Sequence, residues 1–523
     1  MKLSYKRTIL VGFAFFLISA FWQAYDATIP VILTNKFGMN QTLSGVIMAL
    51  DNILALFMLP LFGALSDKCR SRHGKRTPYI TIGCVFAAVA LVCLSFVDNA
   101  QLKNLSDAAK IDDPAALTVV YQDQADAKLL TPQGEEFVLA EKFSEEEFTS
   151  ITSKIPDTSE GADEGATVSN PDYTKYVVPA RQAYAAGVTA ENPMPLILFV
   201  VLLLVVLVSM ATFRSPAVAL MPDVTMKPLR SKANAIINLM GTAGGILVLV
   251  LGIVFATSSV KNSMMSYTVF YMVIAGIMLT ALAIFLLTVR EPLWARQMRE
   301  DSIRYGVEEE EEDASKEEKR GLTPGQKRSL LLILASIALW YFGYNAVTSK
   351  YSVYAGNILH KDYNTTMLLA QGAAIVAYLP AGMVATKIGR RKTILAGVVM
   401  LAAAFGSAAL MTAESPTWLM NVLFGLAGIA WATINVNSFP MVVEMCSGSD
   451  IGKYTGYYYT ASMAAQIATP MLSGLLMDRM GMTILFPYAA CFVALAFVTM
   501  GLVRHGDNKV AAARGLEAFD IEE

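Results

Sequence analysis

The chain has 523 residues, of which 55% are apolar and only 16% charged, where soluble proteins carry roughly a quarter charged residues. A mean hydropathy of +0.48 and uncharged runs such as 195–211 and 241–258 exclude a water-soluble globule and imply an all-α membrane protein, because backbone groups in hydrocarbon must pair within their own segment and ~20 apolar residues suffice to cross as a helix. The net charge of −2 gives no reason to expect a nucleic-acid partner, and the five cysteines form no disulfide pattern.

Twelve spans follow along the chain, at about 8–30, 42–65, 77–97, 194–219, 232–257, 267–289, 328–350, 364–386, 391–412, 415–442, 454–477 and 482–503. The basic N-terminus (Lys2, Lys6, Arg7) reads as the start of an uncleaved first helix rather than a signal peptide. Span one sets Ser19, Trp22, Gln23 and Asp26 on one face. Span two holds Asp51, with Asn52 beside it, near its middle. Residues 98–192 form an acidic extracytoplasmic insertion between spans three and four, with strand-like pieces at 117–121 and 136–139. A poorly ordered loop and a small folded domain both fit its composition.

Span four carries Arg214, and span five places Asn234 and Asn238 one turn apart, ahead of Gly241 and Gly245. Residues 290–327 form a cytoplasmic linker whose acidic run 308–313 reads as solvated. Tyr341, Tyr344, Asn345 and Thr348 share a face of span seven, as do Trp431, Asn435 and Ser438 of span ten. Residues 504–523 form a tail.

The two halves repeat. Trp22-Gln23-Ala24-Tyr25-Asp26-Ala27 returns, with one extra residue, as Trp340-Tyr341-Phe342-Gly343-Tyr344-Asn345-Ala346. Leu59-Pro60-Leu61-Phe62-Gly63 and the following Gly74-Lys75-Arg76-Thr77 return as Leu379-Pro380-Ala381-Gly382 and Gly389-Arg390-Arg391-Lys392-Thr393. Pro222-Asp223 after span four has its counterpart in Pro440 and Glu444. The order implies a duplicated unit: one six-helix bundle from 1–97 and 193–289, another from 328–503, with a substrate site at the midplane between them. Lys68, Arg70, Arg72, Lys75, Arg76, Lys227, Arg230, Arg290, Lys387 and Arg391 all fall on one side. By the positive-inside rule that side, with both termini, is cytoplasmic, giving a multi-pass protein of the cell membrane.

Neither Gly74-Lys75 nor Gly452-Lys453 has the spacing of a nucleotide loop, and His73, His360 and His505 form no metal pair. No enzyme, ATP, metal or cofactor is therefore expected, and uphill movement would draw on an ion gradient. Ionisable groups inside spans are costly and mark function. Asp26 and Asp51 are the candidates for carrying a proton, with sodium as the alternative coupling ion; a structural hydrogen bond between helices is the competing role. Trp22, Gln23, Asn52, Arg214, Asn234, Asn238, Tyr341, Tyr344, Asn345, Trp431 and Asn435 are the candidates for binding substrate. Rings and amides facing one cavity suit a polyhydroxylated solute, although single polar residues of this kind also join helices.

The loop after span two is more specific. Gly63, Asp67, Gly74 and Arg76 within Gly63-Ala64-Leu65-Ser66-Asp67-Lys68-Cys69-Arg70-Ser71-Arg72-His73-Gly74-Lys75-Arg76-Thr77-Pro78 resemble the loop signature of the major facilitator superfamily. The lengthened form is similar to that of the sucrose transporter-like branch of the glycoside–pentoside–hexuronide:cation symporters. The resemblance covers all twelve spans. It implies a two-bundle fold, a cytoplasmic latch formed by those four residues, and a monomeric importer of a disaccharide such as sucrose or maltose, coupled to protons by alternating access. The sequence departs from plant sucrose carriers at Val218, where they have an arginine, and Arg214 lies one turn earlier. Relatives of the melibiose type pair carboxylates for sodium; span two has one, which favours protons. An exporter or exchanger of another small solute, or a non-transporting sensor that binds a ligand through 98–192, are the alternatives.

Overall fold

A computed structural model describes residues 3–157, 167–226, 229–305, 323–443, 445 and 451–505. Each expected span is a helix in it. α1 (Tyr5–Asn35), α2 (Gln41–Asp67) and α3 (Thr77–Leu105) lead into the insert. The insert contains α4 (Pro114–Gln124), β1 (Lys128–Leu130), β2 (Glu136–Val138), α5 (Leu139–Lys142), α6 (Glu145–Thr149), β3 (Lys154–Pro156), β4 (Thr167–Ser169) and α7 (Val178–Glu191). α8 (Met194–Val224), α9 (Arg230–Val254) and α10 (Thr268–Thr288) complete the first half, and α11 (Glu291–Arg304) follows. The second half holds α12 (Pro324–Tyr354), α13 (Tyr363–Ile388), α14 (Arg390–Ala408), α15 (Thr417–Val443), α16 (Ile451–Met480) and α17 (Leu485–Gly501).

Local chemistry sets the ends. Asn40 accepts from the Leu43 N–H at 2.8 Å to start α2, and Asp362 accepts from the Thr365 N–H at 2.7 Å to start α13. Thr323 and Gln326 close a capping box on α12. Gly389, at φ +94°, lets α14 begin directly after α13. Ten helices among the described residues are long and apolar enough to cross a membrane by length and composition. The two long helices below that threshold, α13 and α16, carry cavity-facing polar residues such as Gln371, Tyr458 and Tyr459.

The halves pack alike. The first helix lies on the fifth and sixth, the second on the fourth, and the third on the fourth and sixth: α1 on α9 and α10, α2 on α8, α3 on α8 and α10; then α12 on α16 and α17, α13 on α15, α14 on α15 and α17. The halves meet crosswise, α2 on α16 and α9 on α13, with α1 against α12 between. Each bundle has its own apolar core, around Phe21, Leu91 and Phe270 in one and Trp340, Phe405 and Phe486 in the other. Large apolar side chains such as Phe57, Leu287 and Val376 face outward, as lipid-facing surfaces do.

The insert is a folded domain. Leu117, Val120, Leu129, Phe148, Tyr173 and Val177 form its core, and it carries two antiparallel strand pairs, β1–β2 and β3–β4. The piece at 136–139 begins as strand β2, but 117–121 lies in helix α4. The branched run Thr118-Val119-Val120 suits a strand; burial of Leu117 and Val120, three apart, selects the helical period instead. Within the linker, 291–304 is helix α11, packed on α8. The acidic run 308–313, Glu444 and most of the tail lie outside the described residues.

One buried ion pair ties three helices of the first bundle. Lys36, just after α1, donates to both Asp98 oxygens on α3 at 2.7 and 2.6 Å and to the Met265 carbonyl before α10 at 2.7 Å. Both charged side chains are fully buried, so removing one strands the other at a cost of about 3–5 kcal/mol. Asp98→Ala should lower the melting temperature in detergent markedly. Lys36→Met combined with Asp98→Leu should restore most of the loss.

Candidate functional site

A cavity of about 980 Å³ lies between the bundles, walled by α1, α8, α9, α12, α13, α14, α15 and α16. Sites for small molecules commonly measure roughly 300–1,000 Å³. Trp22, Gln23, Asp26, Arg214, Asn234, Asn238, Tyr341, Tyr344, Trp431 and Asn435 all line it. They reach it because i, i+3 and i+4 positions share a helix face. Tyr344 stacks on Trp431 with ring centres 3.6 Å apart and planes within 5°, and Tyr341 meets Trp431 edge-on at 5.2 Å. Opposite this aromatic wall the Arg214 guanidinium sits 5.6 Å from the centre of the Trp22 ring. Val218 is half exposed and off the cavity, so Arg214 is the arginine that α8 presents to it.

Three candidates do not line the cavity. Asn345 is turned away and its Nδ2 is buried without a partner. The cavity face of α12 runs through Tyr341, Tyr344 and Thr348, and Trp340, the sequence counterpart of the cavity-lining Trp22, is buried in the core of the second bundle, so α1 and α12 present different faces of the repeated motif. Asp51 and Asn52 are also off the lining; Asn52 Nδ2 donates to Asp51 Oδ1 at 2.7 Å. Arg214 is the cation within electrostatic reach of Asp51, and Asp26 is the nearby carboxylate. The cavity wall therefore holds one carboxylate directly and senses the second through an arginine.

Gln23 both lines the cavity and crosses between the bundles. Its Oε1 accepts from Gln371 Nε2 at 2.6 Å, and its Nε2 donates to the Tyr363 hydroxyl at 3.3 Å, both on α13. Gln371, Tyr378, Tyr458 and Tyr459 also line the cavity and escaped sequence reasoning. The signal was present in span eight, where Gln371, Ile375, Tyr378, Gly382 and Ala385 repeat at helical spacing.

The insert end of the cavity is shut by polar contacts that cross the bundles. Asp478 on α16 accepts from the backbone N–H groups of Gln41 and Thr42 at 2.8 Å each and from Thr42 Oγ1 at 2.5 Å. Lys350 of α12 donates to the Gln41 carbonyl at 2.6 Å. A Cβ on Gly45 would lie 2.1 Å from the Pro470 carbonyl oxygen, so α2 and α16 touch backbone to backbone. On the other seam Asn364 donates to Thr257 Oγ1 at 3.0 Å and Ser258 Oγ at 2.9 Å. The lining continues the other way to Asn234, Ala385 and Arg390, so the cavity faces the side of the basic loops.

On that side the loop motif assembles around Arg76. Its guanidinium donates to Asp223 Oδ2 at 2.7 Å, to Ser66 Oγ at 2.5 Å, to Asp67 and to the Gly63 carbonyl. A Cβ on Gly63 would stand 3.0 Å from Ser215 Oγ. Gly74 has φ +113°, and a Cβ there would lie 2.3 Å from the Glu291 carboxylate. Glu291, unremarked in the sequence, accepts from the N–H groups of Lys75, Arg76 and Thr77 at 2.6, 2.9 and 2.8 Å and from Thr77 Oγ1 at 2.7 Å. It is an anion on the N-terminus of α3.

The sequence matches the model of the MFS_1 like family over residues 10–488. A stretch of 132 residues is 30% identical to the MFS-type transporter ppzB of Metarhizium majus (strain ARSEF 297), covering 25% of this chain and 28% of that protein. A stretch of 94 residues is 29% identical to the Sucrose transport protein SUT1 of Oryza sativa subsp. japonica, covering 18% of this chain and 17% of that one. The alignments thus span less than a third of these curated relatives. The fold is similar to the inward open conformation of the xylose transporter XylE from E. coli, with a TM-score of 0.59 at 14% identity over 99% of both chains. It is also similar to a D-xylose-proton symporter, with a TM-score of 0.57 at 14% identity over 96% of this chain and 98% of that one.

Arg76→Ala should free the loop. Each partly exposed ion pair is worth up to about 1 kcal/mol, so the half-buried thiol of Cys69 should react with maleimide roughly fivefold faster, as measured by labelling in detergent.

Proposed function

The chain belongs to the MFS_1 like family of membrane transporters, and we propose that it imports a glycoside, a disaccharide such as sucrose or maltose, by proton symport with alternating access. The observation that carries the reading is the cavity wall itself. The stacked Tyr344–Trp431 pair offers a flat apolar surface to the C–H face of a sugar ring. Asn238, Asn435, Asp26 and Arg214 place donors and acceptors around it for hydroxyl groups.

Coupling follows from the two carboxylates. With Asp51 ionised, Arg214 has an anionic neighbour; with Asp51 protonated, the guanidinium is free to bond a sugar hydroxyl at the cavity wall. A proton taken up on one side and released on the other would then favour sugar binding in one state over the other, which coupling requires. Asp26 supplies a second proton or sugar contact in the same cavity. The contacts that shut the insert end, Asp478 to α2 and Lys350 to Gln41, are those that would break when the bundles rock to expose the cavity on that side. The protein works as a single chain in the cell membrane, with both termini and the basic loops in the cytoplasm.

Uptake of labelled sucrose and maltose into proteoliposomes, with and without an inward proton gradient, tests the reading. Gradient-stimulated accumulation of either sugar is expected; a sodium gradient acting in its place would replace the coupling ion. Asp51→Asn should abolish accumulation against a gradient while retaining counterflow exchange. Trp431→Ala, which removes the stacking surface worth about 1.5 kcal/mol, should raise the apparent sugar constant roughly tenfold.

A further inference from the structure

The insert is joined by its chain to α3 on one side and α8 on the other, so both covalent ties run to the first bundle. Its packing adds to them. A Cβ on Gly38, after α1, would fall 2.3 Å from the Ala186 nitrogen of α7. Gln182 donates to Asn35 Oδ1 at 2.8 Å, and Gln101 of α3 donates to Thr189 Oγ1 at 3.0 Å. The domain therefore travels with the first bundle.

The tip of the β1–β2 hairpin nevertheless reaches the second bundle. The Met482 N–H donates to the Pro132 carbonyl at 2.7 Å. Gly134 and Gly481, at φ +90° and +85°, pass at backbone distance; a Cβ on Gly481 would lie 2.3 Å from the Gln133 carbonyl oxygen. The turn Tyr173–Val177 also packs on Ala355–Leu359, directly after α12. A pocket of about 210 Å³ lies between the hairpin, α7, the α1–α2 turn and the second bundle, and Gln41 and Asp478 of the shut end form part of its wall.

We propose that the insert is a latch, carried by the first bundle, that grips the 481–482 turn of the second and holds this end of the transporter shut. The inference rests on the alternating-access reading, since a latch needs two bundles that move. When α2 leaves α16 at this end, Met482 must leave Pro132, and the short hairpin is rooted by Leu129 in the insert's own core. A contact made in one state alone shifts the population toward that state. One backbone hydrogen bond is worth a roughly fivefold shift. The latch thus sets the balance between the two openings from outside the cavity.

The test reads opening rather than transport. With the five native cysteines replaced by alanine, Gln41→Cys places a thiol at a buried position whose Oε1 has no partner to lose. Its maleimide labelling is followed in nanodiscs. Gly481→Ala, which forces a Cβ against Gln133, should raise the rate roughly fivefold. Replacing 131–135 with a two-residue Asn-Gly turn should do the same while leaving the second bundle untouched. An unchanged rate in the shortened hairpin, with the protein folded, overturns the latch. Faster labelling without uptake of either sugar supports the latch and counts only against the substrate reading.

Discussion

The carboxylate of Asp478 accepts from the first turn of α2 across the two bundles and helps shut the insert end of the cavity. The first N–H groups of a helix have no partner within it, and at the edge of a membrane they need one. For Gln41 and Thr42 that partner comes from the opposite bundle. The bond is charge-assisted and aligned with the helix dipole. It brings α2 and α16 close enough that Gly45 and Gly474 can have no side chain. With that end shut, the cavity can extend only toward the basic loops.

The bilayer explains where the remaining polar groups lie. Several ionisable and amide side chains within the spans face the cavity, as Asp26, Arg214 and Asn435 do, or find a partner, as Lys36 and Asp98 do; the Asn345 Nδ2 does neither. The crosswise meeting of the halves, second helix on fifth in both directions, leaves the cavity between two seams of similar build. One seam is held by a carboxylate and a lysine, the other by Asn364 and two hydroxyls. At the basic end Arg76 and Glu291 bind the loop to its own bundle, so among the described residues the cluster stiffens one half.

Much of this was legible in the sequence. The spans were readable because a helix in lipid needs a long apolar run whatever packs on it. Trp22, Gln23 and Asp26 could be assigned to one face by period alone, and Asp67 and Arg76 by their place in one loop; that Asp223 joins them came only from the structure. Asn345 failed because the repeat was matched by residue type, while the two helices turn different faces to the cavity, Trp22 lining it and Trp340 buried in its bundle's core. Gln371 was missed although its spacing was visible, and Glu291 because a lone acid beside Arg290 gives no hint of the helix end it meets. The strand expected at 117–121 failed because branched residues are compatible with either period until burial chooses.

The sequence by itself determined the membrane class, the count and order of the spans, the duplication and the polar faces, since these depend on hydropathy and helical period within single segments. Tertiary structure decided which faces meet, that Arg214 stands between Asp51 and the cavity wall's ring of Trp22, that Gln23 crosses to Gln371, and that the insert folds and touches the far bundle. Those contacts join residues hundreds of positions apart, and no local pattern encodes a distance across two packed bundles.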